Sequence, residues 1–195
     1  MKKRTIVLLV LLFIFPVAAS FVLYTTGWRP SGTINHGELV QPARPIKDVS
    51  LTQLDGKQMR FADLQKKWTL IYFGSAECLS QCKDNLYKMR QVRLSLGGEG
   101  TRVQRLFVVT NPNALDLLKY ELKEYPNMAV VTGPANNIEA LASQFDLPVG
   151  APLDNLDRIY VVDPLGLLMM SYPADADPGG MRKDLRRLLK VSRIG

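Results

Sequence analysis

Residues Thr5 to Gly27 carry no charge, and from Ile6 to Tyr24 they are apolar almost throughout. A helix built from that run rises about 1.5 Å per residue and is long enough to cross roughly 30 Å of hydrocarbon. It divides the chain before anything else is read. Lys2, Lys3 and Arg4 stand on its N-terminal side, and a basic flank favours an N-terminus held inside, with everything after Trp28 exported. The expectation is an anchor over 1–28, lying in the membrane through residues 6–28, with Tyr24 and Trp28 at the outer interface. A cleaved signal peptide is the competing reading, because Val17-Ala18-Ala19 offers small residues to a peptidase. Phe21, Val22 and Leu23 continue the apolar run beyond that point and favour a retained anchor. The expected location is the inner (cytoplasmic) membrane, single-pass, with the C-terminal domain in the periplasm.

Without the anchor and a linker, about 150 residues remain, enough for one well-cored domain. The formal charge of +7 is concentrated at the two ends. Residues 1–30 hold Lys2, Lys3, Arg4 and Arg29 and no acid, and residues 181–195 hold six cations against Asp184. The stretch between them is slightly acidic, so the chain is not a general binder of polyanions. No nucleic-acid motif is present, and the basic ends suit a membrane neighbourhood.

Arg29 to Lys47 contains Pro30, Gly32, Gly37, Pro42 and Pro45 with little periodicity, and reads as a flexible tether over 29–47. The domain, 48–195, opens with alternating segments on either side of Asp55-Gly56, a hairpin signal. A strand follows from Trp68 to Phe73, then a helix from about Cys78 to Ser95 with Leu86, Met89 and Val92 as its core stripe. After Gly97-Gly98-Glu99-Gly100, Val103–Thr110 reads as a buried strand. Asn111-Pro112-Asn113 caps an expected helix over 114–124, Met128–Val131 is a short strand, and 138–145 is a helix. Arg158–Val162 turns through Asp163-Pro164-Leu165-Gly166 into a hairpin partner over 167–172. The last helix places Met181, Leu185, Leu188 and Leu189 on one face. Alternating strands and helices with a late hairpin give an α/β fold: a mixed sheet with helices on both faces.

Cys78 and Cys82 are the chain's only cysteines. They follow an apolar strand and a short Gly/Ser turn, at what reads as the start of a helix. Free backbone N–H groups and the helix dipole favour a thiolate there. Four residues is about one helical turn, so both sulfurs can share a face. This suits a reversible disulfide or a two-thiolate metal clip, and two inert buried cysteines are the plain alternative. Cys78, at the helix start, is expected to be the more exposed and more reactive thiol. Glu77 opposes thiolate formation, whereas Lys83 and Lys88 favour it. Asp154, Asp157 and Asp163 are candidates for an acidic rim, Asp163 being most simply a turn residue. His36, the only histidine, falls in the tether, which leaves no basis for histidine catalysis, and no phosphate loop or zinc-type cluster is present.

The element order, with a thiol pair after the first long strand, is similar to thioredoxin. More closely, the chain resembles the Sco/SenC family of membrane-anchored cytochrome oxidase assembly proteins. The resemblance runs through Asp55-Gly56-Lys57, Ala62-Asp63-Leu64, and Trp68 through Tyr72-Phe73-Gly74 to Cys78-x-x-x-Cys82. It continues through Phe107-Val108-Val109-Thr110-Asn111-Pro112, Thr132-Gly133 and Val162-Asp163-Pro164-Leu165-Gly166. It implies a thioredoxin-like fold, thiol-disulfide chemistry at Cys78 and Cys82, and an oxidase subunit or copper chaperone as partner. It also implies copper held by the two cysteines and a distal histidine. Asn155 stands at the matching position here, and no histidine follows His36. Lys83 stands where the family has proline. Cu(I) prefers thiolate and imidazole to an amide, so the expected metal site is Cys78 and Cys82 alone, with weak Cu(I) binding. Met169 and Met170, adjacent on a strand, point to opposite faces and read as filling. The runner-up is a redox-inert Sco-like module that acts by binding other assembly proteins.

Overall fold

The computed structural model describes residues 3–27, 34–192 and 194. The chain forms two compact units, Met1–Ile34 and Asn35–Gly195. The first contains helix α1 (Lys3–Thr25), 23 residues long with Pro16 inside it. By length and composition α1 is a candidate membrane span. None of its residues is buried within its own unit, as expected of a helix that is apolar all round. The interface role read for Trp28 lies outside the described residues.

The second unit is built on one eight-stranded sheet. Its strands are β1 (Glu38–Pro45), β2 (Ser50–Gln53), β3 (Gln58–Arg60), β4 (Trp68–Ser75), β5 (Val103–Asn111), β6 (Ala129–Thr132), β7 (Ile159–Val162) and β8 (Leu167–Tyr172), in the order β1-β8-β7-β4-β5-β6-β2-β3. The β4–β5 and β5–β6 pairs are parallel and the rest antiparallel. The helices are α2 (Ser80–Ser95), α3 (Leu115–Glu121), α4 (Ala135–Ala142) and α5 (Pro178–Val191). Strand alternation splits the core into two layers. Leu70 and Tyr72 of β4 join Leu86 and Met89 of α2 and Met181, Leu185 and Leu189 of α5 on one face. Ile71 and Phe73 join Ile138, Leu141 and Phe145 on the other. This is the thioredoxin-like mixed sheet with flanking helices.

Both hairpins form as read. Gly56 has φ +86°, and Asp55 Oδ1 accepts the Lys57 N–H at 3.1 Å, closing the first turn. Asp163 Oδ1 accepts from the N–H groups of Leu165 and Leu167, so Asp163 is a turn residue and no part of an acidic rim. Three helix starts differ from expectation, α4 beginning at Ala135 and not at Ile138. Asn111 turns its side chain to the Asn113 N–H, and α3 starts only at Leu115, after Ala114 in the left-handed region. The helix after the cysteines starts at Ser80, not Cys78.

The largest correction concerns the stretch read as tether. Glu38–Pro45 is an edge strand paired with β8, its register shifting between Leu39 and Arg44. The segment before it is pinned as well. His36 N–H and Gly37 N–H donate to Asp184 Oδ2 at 2.8 and 2.9 Å, and His36 Nδ1 lies 3.2 Å from Asp184 Oδ1. Tyr172 O–H donates to the same Oδ2 at 3.2 Å. Asp184 is only 1% exposed, on the inner side of α5. A Cβ on Gly180 would stand 2.7 Å from the His36 ring, and one on Gly37 would stand 2.6 Å from Tyr172. Small residues at both positions let the chain lie down between α5 and β8.

Candidate functional site

The cysteines sit where β4 leaves the sheet. Tyr72 and Phe107 stack with ring centroids 5.5 Å apart. A Cβ on Gly74 would come within 2.8 Å of the Tyr72 ring and 3.0 Å of the Phe107 ring, so the stack requires glycine there. Beyond Gly74 the chain is held by Ala76 N–H donating to Asn111 O at 2.9 Å and Cys78 N–H donating to Ser75 O at 3.1 Å. Cys78 adopts φ +40°, which turns the backbone sharply into α2. Leu79 is the N-cap residue and Cys82 the third residue of the helix.

Cys78 and Cys82 form a disulfide, with their Cα atoms 5.0 Å apart. The exposure expectation is reversed: Cys78 is 1% exposed and Cys82 6%. The cause is the late start of the helix. Cys78 lies before the N-cap and folds inward under the turn, whereas Cys82 occupies the first helical turn.

A cleft of about 310 Å³ opens over the disulfide. Tyr72, Glu77, Pro152, Asn155 and Asp157 line it together with the two cysteines. Asn155, which the family resemblance sets against the distal ligand, and Pro152 thus line the same cleft as the two cysteines. The loop bearing Asn155 is clamped. Tyr72 O–H donates to Asp157 Oδ1 at 2.5 Å, and Asn85 Nδ2 donates to the Asp157 carbonyl at 2.8 Å. Asn155 and Asp157 both have positive φ, 56° and 49°, a conformation that such contacts hold in place. Burial, aided by the Asp157 carboxylate, raises the Tyr72 phenol far above its ordinary range and keeps it a donor.

The lysines expected to favour a thiolate are engaged elsewhere. Lys83 Nζ pairs with Glu121 at 2.6 Å, and Lys88 Nζ donates to the Ala174 carbonyl. The charged residues lining the cleft are Glu77 and Asp157, both acidic. Stabilisation of a thiolate therefore falls to the N–H groups of the first turn of α2. Asp154 is used locally, its Oδ2 accepting the Ala151 N–H at 2.8 Å.

Among the described residues no three of His, Cys, Asp and Glu are grouped to hold a metal ion. His36 is docked on Asp184 and does not line the cleft. Met170 is buried in the core and Met169 packs beside it. When reduced, the site offers two soft sulfurs and an amide, a donor set that does not fit a Cys/Cys/His copper centre.

Two residues of the site were not picked out from the sequence, Tyr72 and Asn85, whereas Asp157, read there as part of an acidic rim, does line the cleft. Asn85 had a legible signal, an amide set between Cys82 and Leu86 in the inward stripe of α2.

Sheet order and the disulfide at the β4–α2 junction define a thioredoxin-like dithiol protein. The family model described as transmembrane-like, thioredoxin-like, C-terminal domain matches residues 68–192. The chain belongs to that family and is homologous to the Sco proteins. The protein SCO2 homolog, mitochondrial, of Bos taurus is 30% identical over 121 residues, covering 60% of this chain and 46% of the relative. The chain thus spans about half the length of the curated relatives it matches. Yeast Sco1 with copper bound superposes with a TM-score of 0.67 at 21% identity, over 78% of this chain and 96% of the other. BsSco, described as a Sco-family cytochrome c oxidase assembly protein with a disulfide switch, gives 0.62 at 18% identity, over 80% and 99%. At such identities the structural likeness speaks for the fold.

Proposed function

We propose that this chain is a membrane-anchored, periplasmic dithiol protein that assists cytochrome c oxidase assembly by thiol-disulfide exchange at Cys78 and Cys82. The single observation that carries the reading is the Cys78–Cys82 disulfide at the floor of a lined cleft. Homology to Sco proteins supports the oxidase context, and α1 supports the anchor. In the exchange, one thiolate of the reduced chain attacks a partner's disulfide and displaces one partner thiolate. The second cysteine then attacks the mixed disulfide. The S–S bond of Cys78–Cys82 forms, and two electrons and two protons pass to the partner, leaving it a dithiol. The partner is an oxidase subunit or a copper chaperone with a cysteine pair. Copper enters only as Cu(I) on the two thiolates, and no step runs through it.

A second reading, a redox-inert module that binds assembly proteins, is supported by the burial of both cysteines. Cys78→Ser and Cys82→Ser variants, expressed at full length and alkylated in intact membranes, separate the two. Under the exchange reading, one variant accumulates a mixed disulfide with an oxidase subunit or copper chaperone, identified by mass spectrometry. Absence of such an adduct in both variants, with oxidase assembly unaffected, favours the inert module.

A further inference from the structure

We propose that Asn85 is a positioning residue for the redox step, its Oδ1 accepting the Cys82 S–H hydrogen bond once the disulfide opens and so favouring the dithiol. The inference rests on the thiol-exchange reading above. Asn85 is fully buried. Its Nδ2 is committed to the Asp157 carbonyl at 2.8 Å, while its Oδ1 has no hydrogen-bond partner. The amide cannot turn over to relieve that oxygen without losing the Asp157 bond. A buried acceptor without a donor is a standing penalty, and native structures keep few of them. The other unpartnered buried side-chain atoms among the described residues belong to Arg44, Trp68, Arg105 and Tyr160, none of them on α2.

What removes the penalty follows from position. Cys82 precedes Asn85 by three residues on the same inward face of α2, a spacing that makes side chains neighbours, with Cβ atoms about 5–6 Å apart. A disulfide sulfur carries no hydrogen, so the oxidised site has no donor to give. Reduction by an external dithiol breaks Cys78–Cys82 and forms a disulfide in the reductant, and two electrons and two protons come to this chain. One of those protons, on Cys82 Sγ, is the donor Asn85 Oδ1 lacks.

The test equilibrates the full-length chain in detergent micelles with mixtures of reduced and oxidised dithiothreitol and traps thiols by alkylation. Asn85→Leu is expected to shift the equilibrium about tenfold toward the disulfide, a potential about 30 mV more negative. Tyr72→Phe loosens the same loop and removes the phenol oxygen that the Asn85 amide N–H also faces, but it leaves Oδ1 in place, and is expected to shift it less than about twofold, a difference well below one factor of ten. No shift in Asn85→Leu, or equal shifts in both variants, overturns the proposal. Should Asn85→Leu fail to fold, the infrared S–H stretch decides on the native amide. A lowered, hydrogen-bonded band is expected in reduced wild type and Cys78→Ser and not in Cys82→Ser; free S–H bands throughout overturn the assignment. Neither readout involves an oxidase protein, so a failed partner capture leaves this result standing.

Discussion

Replacing Asp184 by alanine tests whether the segment before β1 is part of the fold. Asp184 accepts from the N–H groups of His36 and Gly37 and from Tyr172 O–H, and pairs with the His36 ring. Two of these bonds, from Gly37 and Tyr172, are buried on both sides. Hydrogen bonds to a charged acceptor contribute about 1.5–3 kcal/mol each, and buried donors left unpaired lose their share in full. His36 is partly exposed and regains water, so the buried pair dominates. The expected loss is about 3–5 kcal/mol. For a unit of this size about 2–4 °C is lost per kcal/mol, which gives a Tm lowered by about 6–20 °C. Calorimetry measures the shift, and hydrogen exchange locates it. The amides of residues 35–44, Pro42 excepted, should lose protection well before those of β4 and α2. A Tm within about 2 °C of wild type, about the effect of a single kcal/mol, with unchanged protection of Gly37, would refute the reasoning.

Other expectations follow from the site and the anchor. Gly74→Ala drives a methyl group into the Tyr72–Phe107 stack and should cost about 1–3 kcal/mol of stability by denaturant titration. Burial pushes the Tyr160 phenol up to about 12, and those of Tyr72 and Tyr172 higher still. The unfolded chain ionises its tyrosines near pH ~10, so it binds fewer protons than the native state above that value. Stability is therefore fully present below pH ~10 and falls as pH rises toward about 12, measurable as a declining urea midpoint. Asn155→His places an imidazole in the cleft beside the thiols; Cu(I) affinity should rise and Cu(II) binding appear in competition titrations, both lost in Cys78→Ser. The full-length chain should float with membranes, and a soluble form starting near Ser20 would mean a cleaved signal peptide instead.

Local pattern carried most of the fold. The Asp55-Gly56 and Asp163–Gly166 turns, the inward stripe of α2 and the apolar face of α5 each depend on near neighbours, and each formed as read. Strand β1 did not announce itself, because Pro42 and Pro45 mark it as loop and its partner β8 lies far along the chain. The bond from His36 to Asp184 spans a separation of 148 residues, and nothing in the local sequence encodes it. At the site, the cysteine pair was legible from its place after β4. Its electrostatics were not: Lys83 and Lys88 look like thiolate partners by proximity in sequence, yet tertiary packing gives them to Glu121 and Ala174. The left-handed backbone of Cys78 and Asp157 belongs to residue types that offer no glycine to signal it.

The most direct measurement is a redox titration of the full-length folded chain, followed by thiol-trapping mass spectrometry with and without Cu(I). The account predicts one reversible two-electron transition in which Cys78 and Cys82 are alkylated together after dithiothreitol and protected together after oxidation. It also predicts that Cu(I), held by two thiolates alone, leaves them readily recovered by a Cu(I) chelator. A disulfide that resists every dithiol until the chain is unfolded in urea would contradict it and leave a structural cross-link in its place.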